Sequence, residues 1–201
     1  MSEVYTIKRD LSELEAMVKN LENYVRGDTL YGSAGGAGFF SGGRMPSLTV
    51  GAVLMRLRRL DVLHNQMDDA QIHRFEATQE KHAHVADEWR LHYTGKMTRE
   101  ANSRLDAMHA FFEECTTSPK LCANVYRPEL LRRTIVQEIL IAMDEINMAV
   151  EDDLKQKLNG TDGRLRQFVK PSDFQWAEQL QPAYDQKTFW WLYQQPPVVE
   201  D

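Results

Sequence analysis

No proline occurs from Ser47 to Tyr93, and Gly51 is the only glycine in that stretch. Apolar residues recur through it at three- and four-residue steps: Val53, Leu57, Leu60, Leu63 and Met67, then, past Asp68 and Asp69, Ile72, Phe75, Val85, Ala86 and Trp89. That spacing places them along one face of a helix. Unbroken, such a helix would reach roughly 70 Å. This is more than a compact domain of 201 residues needs, so the pattern predicts an elongated protein or one that assembles with partners. Ser47 as N-cap, or Pro46 in the first turn, marks the expected start. Asp68–Asp69 is the expected kink, and Thr94–Gly95 the expected end.

The flanking segments fall into helices as well. Leu11, Leu14, Val18, Leu21 and Val25 form a narrow seam from Leu11 to Arg26, with Asp10 as N-cap, Glu13 at capping-box spacing and Gly27 as the stop. A third helix is predicted from Thr98 to Cys115. A fourth is predicted from Pro128 to Leu158, ended by Asn159–Gly160. The expected fold is all-α: an elongated antiparallel helical bundle with one very long helix, a glycine-rich connector and an aromatic C-terminal tail. Its parts are an N-terminal helix (1–26), the connector (27–46), the bundle core (47–160) and the tail (161–201). The tail holds Phe174, Trp176, Tyr184, Phe189, Trp190, Trp191 and Tyr193. Rings at that density are too unfavourable to leave in water, so the tail folds back onto the chain or covers a partner. The apolar face around Leu54 to Met67 needs a cover, which the first helix, the aromatic tail or a second copy of the chain could supply, and a homodimer paired along the long helix is the expected arrangement.

Composition narrows the classes of function. Hydrophobic residues make up 42% and charged residues 27%, an ordinary globular balance. The net charge of −6 disfavours general nucleic-acid binding, which needs phosphate neutralised by Lys and Arg. The one dense basic spot, Arg56, Arg58 and Arg59, reads as a solvated helix flank. No apolar run approaches the length of a membrane span, and the first residues do not resemble a secretory signal. The expected location is cytoplasmic, and Cys115 and Cys122 are expected to be reduced thiols.

Two Asp-x-x-His motifs, Asp61 to His64 and Asp106 to His109, each carry a carboxylate four residues after the histidine, at Asp68 and Glu113. On a helix those positions share a face and suit one or two divalent metal ions. Two facing helices of this kind resemble the di-iron carboxylate bundles, although Asp replaces Glu and the fourth helix brings no histidine. A second constellation, Glu76, Glu80, His84, Glu88 and His92, steps by four and reads as a ladder of surface Glu–His pairs. His82 lies near the apolar seam and reads as a hydrogen-bonded core or interface residue. The glycine segment lacks a P-loop signature and reads as a connector, with Phe39 and Phe40 as docking anchors. No nucleophilic triad is present.

The function expected from these features is non-enzymatic: a helical interaction or assembly (scaffold) protein acting through helix seams and the aromatic tail. Phe39, Phe40, Trp190 and Trp191 are the expected partner-binding residues, and no cofactor is expected. The alternative is a metal-binding helical-bundle protein with Asp61, His64, Asp106 and His109 as ligands.

Overall fold

The computed structural model describes residues 5–35, 46–117, 122–123 and 125–197. The fold is all-α, 72% helical, with two small two-stranded ladders. The chain divides into two compact units, Met1–Glu100 and Ala101–Asp201.

The first unit begins with α1 (Ile7–Lys19), whose N-cap is Thr6; its side chain accepts from the Arg9 N–H. Asp10 is therefore not the cap. It lies inside the helix, buried, next to Leu11, Leu14, Met17 and Val18. α2 (Leu21–Arg26) follows at once, and Gly27 ends it in an extended conformation, not a left-handed one. The long helical pattern is realised in pieces. α3 (Val50–Val62) starts at Thr49, whose side chain accepts from the Ala52 N–H, and ends at Leu63. A 3₁₀ turn, His64–Gln66, leads to Asp68. There the expected kink is a full restart: Asp68 and Gln71 form a capping box that opens α4 (Asp69–Glu88). Trp89 interrupts the chain once more before α5 (Arg90–Cys115). That 26-residue helix is the longest of the described helices and runs straight through Thr94–Gly95.

The apolar face that needed a cover receives it from the first helix, one of the three expected candidates. Val53, Met55, Leu60, Leu63 and Met67 are all buried, and α1 packs on both α3 and α4. Charge locks the same joint. Arg56 is 5% exposed, not a solvated flank; it reaches Asp10 at 3.3 Å and Glu13 at 2.6 Å. Arg59 stands 3.9 Å from Asp10, and the Tyr5 hydroxyl donates to Asp10 at 3.0 Å. Arginines three apart on α3, at 56 and 59, read equally well as solvated flank or as buried linker, and the acidic partners on α1 decide it. Elsewhere in the unit, buried Glu100 accepts the Gly51 N–H at 2.8 Å at the start of α3. Buried Lys96 donates to the Thr29 carbonyl and stands 4.4 Å over the Tyr24 ring. The glycine segment is clasped at its base by β1 (Gly32–Ser33) pairing antiparallel with β2 (Ser47–Leu48). Gly32 is required there: a Cβ would come within 2.7 Å of the Tyr24 ring.

The second unit is built from α5 beyond Ala101, α6 (Arg127–Glu145), α7 (Asp152–Phe168) and the tail. The apolar stripe on α5, Ala101, Leu105, Met108, Phe112 and Cys115, is buried throughout. The predicted fourth helix is two. α6 ends in a Schellman motif in which Asn147, at φ 54°, takes the left-handed position. The Met148 N–H bonds the Met143 carbonyl and the Asn147 N–H the Asp144 carbonyl. Arg133, Thr134, Ile135 and Val136 are consecutive buried residues, so α6 is enclosed on all sides at mid-length. Leu131 on its outer side and Ile146 at its C-cap are exposed. α7 then passes through Asn159–Gly160 and Gly163 without stopping. Buried Leu154, Thr161 and Leu165 anchor it, as does the paired grip of Arg133 on Asp162 at 2.7 and 3.0 Å. Tertiary contacts here override a turn-forming sequence.

The tail folds back onto its own unit. Trp191 is 0% exposed; its indole N–H donates to Thr134 Oγ1 at 2.9 Å, and the Arg133 guanidinium stacks on its ring at 3.9 Å. Tyr184, Phe189 and Leu192 are buried beside it, and β3 (Lys170–Pro171) pairs with β4 (Gln194–Gln195) to fasten the end.

Cys115 and Cys122 form a disulfide with Cα atoms 5.6 Å apart, where reduced thiols were expected. That expectation came from compartment, whereas the end of α5 brings the two residues together geometrically. The bridge closes a loop of sequence separation 7. Chain-entropy reasoning for so short a loop gives about 2–3 kcal/mol. Reduction, or the Cys115→Ser/Cys122→Ser pair, is expected to lower stability by that amount in urea unfolding; an unmoved midpoint would contradict it.

Candidate functional site

Two helices of the second unit enclose an open groove of ≈ 470 Å³. α5 contributes Leu105, Asp106 and His109, and α7 contributes Asp153, Lys157, Gly160, Thr161 and Arg164. The α7 positions recur at three- and four-residue steps, the period of one helix face. Lys157 bonds Asp106 at 2.9 Å, and Arg164 pairs with Glu113 one turn beyond His109. The pairing order shows α5 and α7 lying side by side in the same direction. His109 Nε2 is 3.8 Å from Glu113 Oε1. These side chains are each more than a third exposed, so the pairs contribute little to stability, of order 0–1 kcal/mol each. Their consequence is placement: they fix charged groups along a trough whose floor is Leu105, Gly160 and Thr161.

Of the four residues expected to bind metal, Asp106 and His109 lie together in this groove. Asp61 and His64 lie in the first unit, and the helix ends between them. Asp61 belongs to α3, while His64 begins the 3₁₀ turn with its ring 6.5 Å from Phe75, so the shared face that the spacing implies is lost. Among the described residues, no group of three His, Cys, Asp or Glu side chains is arranged to hold a metal ion. Phe39 and Phe40 fall outside the described residues. Trp191 belongs to the core of its unit and offers no surface to a partner. Trp190 is half-buried, with the Arg166 guanidinium 3.8 Å over its ring.

Sequence reasoning missed Asp153, Lys157, Thr161 and Arg164. Their signal was present as a helical period, but it crosses Asn159–Gly160, where the helix was expected to end.

Outside the groove, half-buried His82 and buried Glu129 and Tyr126 are shifted from their ordinary titration. Burial lowers the His82 imidazole to about 4, and its Nε2 lies 2.7 Å from the buried Tyr93 hydroxyl. The hydrogen bond is the one expected of it, and the ring itself is half-buried. Burial raises the Glu129 carboxyl to about 7, against the opposing pull of Arg132, which bonds its Oε1. Glu129 Oε2 and the Tyr126 hydroxyl are both buried without a hydrogen-bond partner. Burial also raises the Tyr126 hydroxyl, with the Glu129 charge adding to the effect.

No protein-family model, curated protein or solved structure matches the chain. Among the described residues, no helix is long and apolar enough to cross a membrane.

Proposed function

We infer that this is a non-enzymatic helical assembly protein that pairs with a second copy of itself. The observation that carries the reading is Leu91, which is 85% exposed at the start of α5. It stands just beyond α4, a helix of 20 residues that buries only Phe75, Thr78 and Val85. Burying one such leucine in a helix contact contributes about 1.5–3 kcal/mol. Charge supports self-pairing. About an antiparallel axis level with Ala86, His84 of α4 in one copy faces Glu88 of α4 in the other, and the reverse. The buried charged side chains Asp10, Arg56, Glu100, Lys96 and Arg133 each hold one element to another, which supports a structural role for them over a chemical one. Phe39, Phe40 and Trp190 are further contact residues in this reading, which rests on surface alone and needs no cofactor.

Sedimentation velocity and native mass spectrometry test it together. A dimer at about 10–100 μM that Leu91→Asp turns into a monomer is the expected result. A monomer for both proteins would sink the reading. A stoichiometric bound metal ion, lost in His64→Ala/His109→Ala, would replace it with the metal-binding alternative. A cytoplasmic home belongs to the same proposal but conflicts with the disulfide, because the cytosol keeps thiols reduced. Thiol trapping in intact cells decides that point.

A further inference from the structure

The Cys115–Cys122 bridge fastens more than the loop it closes. Two lines of contact run from it to the start of α6. Along the backbone, the Val125 N–H bonds the Cys122 carbonyl at 3.2 Å, and the Glu129 N–H bonds the Tyr126 carbonyl at 2.9 Å. Through the side chains, Phe112 stands one turn before Cys115 on α5. Its ring lies 5.6 Å from Phe168, which in turn lies 5.7 Å from Tyr126.

That start of α6 is poorly satisfied by itself. Its cap residue, Tyr126, makes no side-chain cap hydrogen bond, and Pro128 stands in the first turn. Tyr126 is 3% exposed and Glu129 2%. Yet the Tyr126 hydroxyl and Glu129 Oε2 have no hydrogen-bond partner among the described residues. Buried polar groups are ordinarily satisfied, and each one left unsatisfied loses its hydration without return. Opening the first turn would give both atoms water. The cost of burying two such groups is comparable to what a cross-link over so short a loop contributes. The bridge therefore holds shut a turn whose own polar groups favour opening.

We propose that the Cys115–Cys122 bridge is a redox latch: its reduction by a dithiol frees the first turn of α6 and brings the Glu129 carboxyl to water. A dithiol attacks one sulfur, passes through a mixed disulfide and leaves as its own disulfide. The broken S–S bond takes up two electrons and two protons and becomes the thiols of Cys115 and Cys122. The Glu129 proton is a separate matter. In the closed turn, burial raises the carboxyl to about 7, against Arg132, which bonds it. Tyr126 is the other titratable group beside it, and among the described residues α5, α7 and the tail bring no charge that shifts it. In water the carboxyl returns to its ordinary 4.5. Between those limits opening delivers a proton to solvent, so rising pH favours reduction. Where thiols are kept reduced, the disulfides that do form are usually transient and redox-sensing, so such a latch suits a reducing compartment. It works alike in one copy of the chain or in two.

The full-length protein is equilibrated with reduced and oxidised dithiothreitol between about pH 5.5 and 7.5. The disulfide fraction is read by acid quenching, alkylation and mass spectrometry. Over this range all four thiols stay protonated and the exchange takes up no net proton. Only a linked group then makes its equilibrium depend on pH. The constant for reduction is expected to rise by about tenfold to twentyfold, as a carboxyl moving from about 7 to 4.5 requires. Glu129→Gln should flatten the profile. Tyr126→Phe removes one atom that opening would hydrate and should lower the constant several-fold. Amide exchange locates the change. Reduction should lower protection by roughly tenfold or more at Leu131 to Arg133, whose N–H groups bond first-turn carbonyls, and leave Val136 to Met143 protected. A flat profile in the parent, a slope that persists in Glu129→Gln, a Tyr126→Phe constant no lower than the parent's, or loss of protection along the whole of α6 would overturn the proposal.

Discussion

Arg56→Met is expected to lower the stability of the first unit by about 3–5 kcal/mol, the range for removing one partner of a buried ion pair. The guanidinium makes four close contacts: Asp10 at 3.3 Å, Glu13 at 2.6 and 3.2 Å, and the Ala52 carbonyl at 3.1 Å. Without it, Asp10 keeps only Arg59 at 3.9 Å and the Tyr5 hydroxyl, and Glu13 keeps Arg9 at the surface. Methionine fills most of the volume, so the loss reads charge and not a cavity. The pH dependence distinguishes the two causes. Burial raises the Asp10 carboxyl above its ordinary value, against the lowering effects of Arg59, Arg56 and Tyr5. Removing Arg56 raises it further. The folded state then holds a proton that the unfolded state has released, so stability falls as pH rises above about 4. The deficit of Arg56→Met is therefore expected to be largest near pH 7 and to shrink toward pH 4. Asp10→Asn in the same background should recover part of it at neutral pH. Urea titrations at both pH values measure this; a deficit below about 1 kcal/mol at pH 7, or one independent of pH, would contradict it.

The same cluster shows what the sequence can and cannot convey. The helical class, the stripe on α5 and the kink at Asp68 follow from period and capping chemistry, which act over a few residues. Arg56 and Arg59 read as solvent-facing because their partners, Asp10 and Glu13, are more than forty positions away, and no local spacing announces them. The unbroken pattern from Ser47 to Tyr93 concealed two interruptions because a seam of apolar residues survives a 3₁₀ turn and a restart. Asn147 is the converse case. Asn is a legitimate left-handed terminator, and its presence after Ile146 was a readable stop. Asn159–Gly160 carries the stronger local stop and is overruled, because Arg133 grips Asp162 and Thr161 is buried. Gly160, Thr161 and Arg164 of the groove lie on or beyond that overruled stop, which is why Asp106 and His109 were legible as site residues while Thr161 and Arg164 were not.

Glu129→Gln is expected to reverse the pH response of the second unit. The folded carboxyl titrates at about 7 against an ordinary value of 4.5, so between those limits the folded state binds more protons than the unfolded one. Stability must then decline as pH rises through that window, by about 3 kcal/mol in total. Glutamine imitates the protonated acid, removes the decline and makes the variant more stable than the parent above pH 7. His82 works in the opposite sense in the first unit. Its folded value of about 4 lies below the ordinary 6.5, so the unfolded state binds more protons and stability is lost as pH falls from 6.5 to 4. The two slopes oppose each other across pH 4.5–6.5, and a probe that averages over the whole chain is expected to register a nearly flat profile. Amide hydrogen exchange separates them, because α6 reports the unit with Glu129 and α4 the unit with His82. In the parent protein, protection in α6 should fall from pH 5 to pH 7.5 once corrected for intrinsic exchange, while protection in α4 rises. Glu129→Gln should abolish the first trend and leave the second. If α6 shows no decline in the parent, or Glu129→Gln preserves it, the buried carboxyl is ionised in the folded state and its effect on stability has the other sign.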